Sequence, residues 1–257
     1  MKRTAKIAMS VLLMAAMAIS AIGCKKDGGN NGGTGSGADT KKGEGVMTYS
    51  EYAAAALDTQ VTVETYIQAK QGWWENDGVG NATFYTQDAE GGYFLYNMPC
   101  TQDEYNKLAV GTKIKVTGYK SEWSGEVEII DATFVIEDGN YVASPLDITD
   151  KLASADLIKY QNQFVSFKDM TVESADDNGS AFLYSWDGSG SQGDDLYFKI
   201  SSNGQTYTFT VESYLTGADT DVYKTVEGLK VGDKVDMEGF LYWYEGANPH
   251  ITKVTVK

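Results

Sequence analysis

The segment Leu108-Ala-Val-Gly-Thr-Lys-Ile-Lys-Val-Thr-Gly118-Tyr119 recurs, 121 residues later, as Leu229-Lys-Val-Gly-Asp-Lys-Val-Asp-Met-Glu-Gly239-Phe240. Both copies follow the pattern L-x-V-G-x-K-[IV]-x-[VM]-x-G-aromatic. The same offset, without a gap, pairs Trp123 with Tyr244, Gly125 with Gly246, Ile130 with Ile251 and Val135 with Val256. So many matches in register mean a duplicated structural unit. The 257-residue chain is therefore constrained to two lobes of one plan from Thr48 onward, read as domains at 48–140 and 141–257.

Each lobe opens alike. Thr48-x-x-Glu51 is a capping-box signature ahead of a short helix at 52–57. Val61-Thr-Val-Glu-Thr-Tyr-Ile67 alternates as a half-buried strand does. Strands over 82–87 and 93–96 follow, separated by a turn at Asp88-Ala-Glu-Gly-Gly92. A second capping box, Thr101-x-x-Glu104, starts a helix ending near Leu108, then come the repeated strand and a last strand at 127–136. The second lobe reads as Thr149-Asp150 with a helix over 151–157, then a strand over 164–172. An inserted hairpin at 196–211 and a longer helical stretch near 219–228 come next. Three strands, a helix and two strands is the order of an OB-fold, so the expected class is mainly all-β. Two tandem OB-fold-like five-stranded barrels result, each with a short helix between strands three and four. One continuous β-sandwich is the rival architecture.

The N-terminus reads as an address. Lys2, Arg3 and Lys6 precede an apolar run over 7–22, too short for a comfortable transmembrane helix. It ends in Ala21-Ile22-Gly23-Cys24, which resembles the lipobox of bacterial lipoproteins. That resemblance implies a signal peptide at 1–23, an acylated Cys24 and a protein held to a membrane outside the cytoplasm. The stretch 24–47 is a Gly-rich tether, with eight glycines in the 22 residues from Lys25 to Val46. Removing 1–23 leaves Cys100 as the one remaining thiol besides the lipidated cysteine, so no intrachain disulfide is expected. Cys100 reads as a small buried hydrophobe.

Charge and composition then exclude whole classes. The chain carries 21 Lys+Arg against 36 Asp+Glu and a single histidine, His250. An HExxH zinc site is ruled out by that count. His250 reads as a solvated or edge residue, and no G-x-S-x-G elbow exists to partner it in a triad. The lobes hold 5 Lys against 15 acids and 9 Lys against 18 acids, and Arg3 is the sole arginine. Without a basic stripe, nucleic acid is a disfavoured partner, and a glycan, a cell-wall polymer or a protein is favoured. Asp176-Asp177-Asn178-Gly179 and the run from Asp187 to Asp195 offer oxygen ligands, but lack EF-hand spacing. No cofactor is expected, with calcium as a weak alternative. No catalytic set is legible either, so a hydrolase ranks last.

Gln68-Ala-Lys70-Gln-Gly-Trp73-Trp74, Gly91-Gly92-Tyr93-Phe94 and Gly118-Tyr119-Lys120-x-Glu122-Trp123 resemble motifs of a bacterial lipoprotein group. Its members carry a signal peptide, a Gly-rich tether and OB-like modules, and the resemblance implies no established activity. An OB barrel binds on its strand two–three face between the loops joining strands one–two and four–five. That places Lys70, Trp73, Trp74, Tyr93, Lys120 and Trp123 at the expected ligand site, over a face of alternate residues, Tyr85 and Gln87 with Tyr93 and Leu95 or the opposite set. In the second lobe Trp186, Tyr242, Trp243 and Tyr244 form an aromatic cluster, either a ligand site or the interface between lobes. The leading expectation is a non-catalytic glycan-binding module at the cell surface. The alternatives are single-stranded nucleic-acid binding and a protein-interaction scaffold.

Overall fold

The computed structural model describes residues 39–257. The expected signal peptide at 1–23, Cys24 and most of the expected tether lie outside the described residues. In chain order the elements are α1 (Tyr49–Ala54), β1 (Gln60–Lys70), β2 (Trp74–Asn76), β3 (Val79–Gln87), β4 (Gly92–Pro99), α2 (Gln102–Lys107), β5 (Thr112–Trp123) and β6 (Glu126–Asn140). Then follow β7 (Leu146–Asp147), short 3-10 turns over Thr149–Lys151 and Ala155–Tyr160, β8 (Phe164–Glu173) and β9 (Phe182–Tyr184). The chain closes with β10 (Leu196–Ser202), β11 (Gln205–Val211), α3 (Asp221–Glu227), β12 (Lys234–Phe240) and β13 (His250–Val256).

Both sheets close on themselves. The first runs β1-β5-β6-β4-β3-β2 with β1 also paired to β3. The second runs β7-β8-β12-β13-β11-β10-β9 with β8 also paired to β10. In each, the third and fifth barrel strands are parallel, β4 with β6 and β11 with β13. This is the OB-fold, built twice. The hairpin β10–β11 is thus no insertion, as the sequence reading had it. It supplies barrel strands two and three, pairing with β8 as β3 does with β1. The added material in the second lobe is the stretch between β8 and β10.

Local chemistry accounts for the shared plan. At both helix starts the threonine oxygen accepts from the N–H three residues on, and the glutamate reaches back to the threonine N–H at 2.8 Å. These reciprocal bonds satisfy donors the first helical turn would leave open. The repeated glycines sit where the register shifts, between Thr117 and Tyr119 in β5 and between Glu238 and Gly239 in β12. A Cβ on Gly118 would meet the Ile130 carbonyl at 2.8 Å, and one on Gly239 would collide with the His250 carbonyl. Only glycine lets β5 and β12 coil that tightly against their partner strands.

Each barrel encloses its own apolar core. Val61, Val63, Phe84, Leu95, Ile114 and Val116 fill the first, and Phe167, Val172, Phe198, Phe209 and Ile251 the second. Cys100 is buried in the first core and unpaired. A third cluster belongs to neither barrel. Tyr85, Phe94 and Phe240 are buried together, with Phe164 and Tyr242 packed on them. The Tyr85 and Phe240 rings stack at 4.5 Å, and Tyr85 Oη shares a 2.7 Å hydrogen bond with His250 Nδ1. Both lobes belong to one compact unit. His250, read as an edge residue, is instead buried at this junction with 7% exposure.

Candidate functional site: an aromatic cleft between the barrels

The register of β3 against β4 sets Tyr85 opposite Phe94, and Phe84 opposite Leu95. Tyr85 and Phe94 therefore share the outward face, whereas Tyr93 and Leu95 are fully buried in the core. The sequence reading grouped Tyr85 with Tyr93 and Leu95, or took the opposite set; the register instead joins Tyr85 to Phe94. The second lobe covers Tyr85 with Phe240, and Tyr242 meets Phe94 edge-on at 5.4 Å. Beyond these rings the two lobes leave a cleft of about 1060 Å³.

The loops flanking each barrel face line that cleft in corresponding pairs. Trp74, on the short strand after β1, is matched by Trp186, just after β9. Trp123, at the end of β5, is matched at the 121-residue offset by Tyr244. Trp74, Trp123 and Tyr244 are 43%, 42% and 50% exposed, and Trp186 is 76% exposed. Tyr96, Tyr197 and Tyr214 add further rings. Tyr242 stacks on His250 at 4.2 Å, closing one side. Burial holds His250 neutral by lowering its pKa to about 3.

The other expected ligand residues are structural. Tyr93 donates its hydroxyl to Asp88 Oδ2 at 2.9 Å inside the first barrel. Trp73 donates Nε1 to the Cys100 carbonyl at 3.0 Å and packs on the core. Lys70 Nζ donates to the Tyr105 carbonyl at 2.7 Å and lies 3.8 Å from the Tyr105 ring centre. Lys120 is buried and donates to the carbonyls of Tyr52, Ala53 and Ala55, closing the end of α1. An ammonium on a long stem meets unpaired helix-end carbonyls more easily than it stays in water when the stem must cross a core. Trp243 packs on the second core, and its N–H donates to Glu126 Oε2 at 2.8 Å. The second-lobe cluster is thus divided, with Trp186 and Tyr244 in the cleft, Trp243 in the junction, and Tyr242 serving both.

Sequence reasoning missed the polar groups. Asp195 and Glu212 flank the Leu196–Val211 pair at the open end of the β10–β11 hairpin. Gln71 of the first lobe donates Nε2 to Glu212 Oε2 at 3.0 Å, and Gly72 N–H donates to the Tyr214 carbonyl at 3.1 Å. Burial, then the neighbouring Asp195 charge, raise the Glu212 carboxyl to about 7. Glu245 is the third acid on the lining, and among the described residues no lysine or arginine joins it. Had the hairpin been recognised as barrel strands two and three, its open end would have pointed to these acids.

The acidic turns weighed as a weak calcium alternative close on themselves. Asp176 accepts from Asn178 N–H, Ser180 N–H and Ser180 Oγ, and Asp187 from Ser189 N–H and Oγ. Among the described residues no three acidic, histidine or cysteine side chains gather as a metal site. No described helix is long and apolar enough to cross a membrane.

No protein-family model matches the chain, and no curated protein does. Solved structures similar to it include a murine DNA-binding protein bound to double-stranded DNA, at 11% identity and TM-score 0.34, covering 76% of this chain and 94% of that one. A replication protein A heterotrimer bound to single-stranded DNA aligns at 11% identity and TM-score 0.33, covering 80% of this chain and 51% of that one. The single-stranded DNA-binding protein of Thermus aquaticus aligns at 13% identity and TM-score 0.25, covering 77% and 93%. The barrel assignment rests on the strand order, not on these scores. Those neighbours bind DNA, and two expectations are corrected on that finding. One is the cell-surface module for a glycan or cell-wall polymer, and the other is nucleic acid as a disfavoured partner. The physical flaw lay in using net charge as the arbiter, because a strand can be held by its base faces as well as by its phosphates.

Proposed function

We propose that this protein binds single-stranded nucleic acid, without catalysis, by stacking unpaired bases on the rings of the cleft between its barrels. The observation that carries the reading is the convergence of Trp74, Trp123, Trp186 and Tyr244 from corresponding loops of both lobes onto one cavity. Each stacked base contributes about 1–3 kcal/mol and every base has a stackable face. Because no lysine or arginine lines the cleft among the described residues, the bases face inward and the phosphates remain in solvent. The lipobox-like run ending in Cys24 supports attachment of the chain to a membrane by a lipid, with the body on the extracytoplasmic side.

The test is titration of the full chain with fluorescently labelled DNA strands of about eight nucleotides. Trp123→Ala and Trp186→Ala are each expected to weaken binding by about 5- to 150-fold, the equivalent of one stacked base. A salt slope near zero is expected, in contrast with the steep decline of phosphate-gripping proteins. Binding that neither substitution weakens would overturn the proposal, as would no binding at millimolar protein. Anchoring is tested separately by fatty-acid incorporation in cells, which Cys24→Ala is expected to abolish.

A further inference from the structure

The aromatic rings explain why bases would stack, but not which bases. The charged groups on the cleft wall are Asp195, Glu212 and Glu245, all hydrogen-bond acceptors when ionised. Asp195 and Glu212 stand together at the open end of the β10–β11 hairpin, beside Tyr197 on the same strand as Leu196. Ser213 binds Asp195 through Oδ1, with its N–H at 2.8 Å and its hydroxyl at 2.7 Å. Gln71 reaches Glu212 through Oε2. Among the described residues no lysine or arginine lines the cleft beside the pair. Burial first, and then the neighbouring acids, raise the Glu212 carboxyl to about 7 and the Tyr197 hydroxyl to about 12. A wall of this kind favours a ligand edge rich in donors and repels one rich in carbonyls.

Resting on the nucleic-acid reading, we infer that the cleft selects bases by the donors on their Watson–Crick edge, taking guanine first and thymine last. Guanine offers two adjacent donors, N1–H and the N2 amino group. Adenine and cytosine offer one amino group beside a bare ring nitrogen. Thymine offers a single N3–H between two carbonyl oxygens, which would face the carboxylates. A carboxylate paired with base amino and imino groups discriminates by about 5- to 150-fold against a base that lacks them.

The experiment compares the full chain binding three strands of about eight nucleotides: alternating G/T, alternating inosine/T, and all T. At about pH 8, where most carboxyls of this kind are ionised, G/T is expected to bind about tenfold or more tightly than all T. Inosine, which lacks the N2 amino group, is expected to fall between them. Asp195→Asn, which keeps an acceptor for Ser213, is expected to narrow the gap between G/T and all T. If the three strands bind within about twofold of one another, the selectivity is refuted; if the gap survives Asp195→Asn, its origin in the acidic wall is refuted. In either case the nucleic-acid reading stands. If none binds, both fall.

Discussion

Glu126 is the buried carboxyl on which the junction between the barrels turns, and replacing it separates two physical roles. It is fully buried, and Oε2 accepts from Trp243 N–H at 2.8 Å and Gln161 Nε2 at 3.1 Å. Oε1 and the Asn162 side-chain oxygen are each buried without a partner among the described residues. Burial drives the Glu126 pKa well above its ordinary value, against the hydrogen bonds from Asn162, Trp243 and Gln161, and so favours the protonated carboxyl. A proton on Oε1 would turn that unpartnered oxygen from a bare acceptor into a donor, next to the Asn162 side chain. Glu126→Gln supplies an amide donor in its place and keeps the acceptor for Trp243 and Gln161, so stability at neutral pH should hold or rise. Glu126→Ala leaves the Trp243 N–H buried and unpaired, at a cost of about 1–3 kcal/mol. Gln161 loses less, since its amide also donates to the Gly125 carbonyl at 2.8 Å.

The pH dependence gives the sign. A carboxyl with a raised folded pKa contributes stability that is complete below its unfolded pKa, near 4.5, and is lost as pH rises through the folded value. Each unit of pH across that window removes about 1.4 kcal/mol. Urea unfolding of the wild type and Glu126→Gln, in steps from about pH 5 to pH 9, should therefore give curves that diverge upward, with the glutamine variant flatter. Glu212 titrates in the same direction, so only the difference between the two curves is informative. Parallel curves, or a glutamine variant as unstable as the alanine one, would refute the assignment of a protonated Glu126.

Three further outcomes follow from named contacts. His250, neutral in the fold with a pKa near 3 against an ordinary 6.5, makes stability fall as pH drops through the range between those values. At about pH 5 that loss is roughly 2 kcal/mol, and thermal unfolding of His250→Gln should lack it. Lys120→Met strands the Ala53 and Ala55 carbonyls at the end of α1, while the Tyr52 carbonyl keeps the Ala55 N–H, so a stability loss of about 1–3 kcal/mol is expected by urea unfolding, with strand affinity unchanged. Gly239→Ala forces a methyl group against the His250 carbonyl and should lower stability by about 1–3 kcal/mol, read as a drop in Tm.

The contrast between Lys120 and Trp123 shows how far a sequence carries a site. Both stand on one strand in the same motif, and both were expected to touch ligand. One became a helix cap and the other a cleft wall, because β5 sends alternate side chains to opposite faces and only neighbouring elements decide what each face meets. His250 makes the same point from the other side. Nothing local to Asn248-Pro249-His250 foretells burial, which comes from Tyr85, 165 residues away.

The sequence by itself determined the duplication, both capping boxes and the glycines that let β5 and β12 coil, since each is a matter of short spacing and backbone sterics. It also supported the OB order of strands, though only the pairing of β10 with β8 revealed the second lobe's hairpin as part of the barrel. What the tertiary structure alone decided is that the two lobes meet, burying the Tyr85–Phe240 stack and leaving an aromatic, acidic cleft between them. Contacts of that range depend on the packing of whole barrels, and no periodicity within either repeat encodes them.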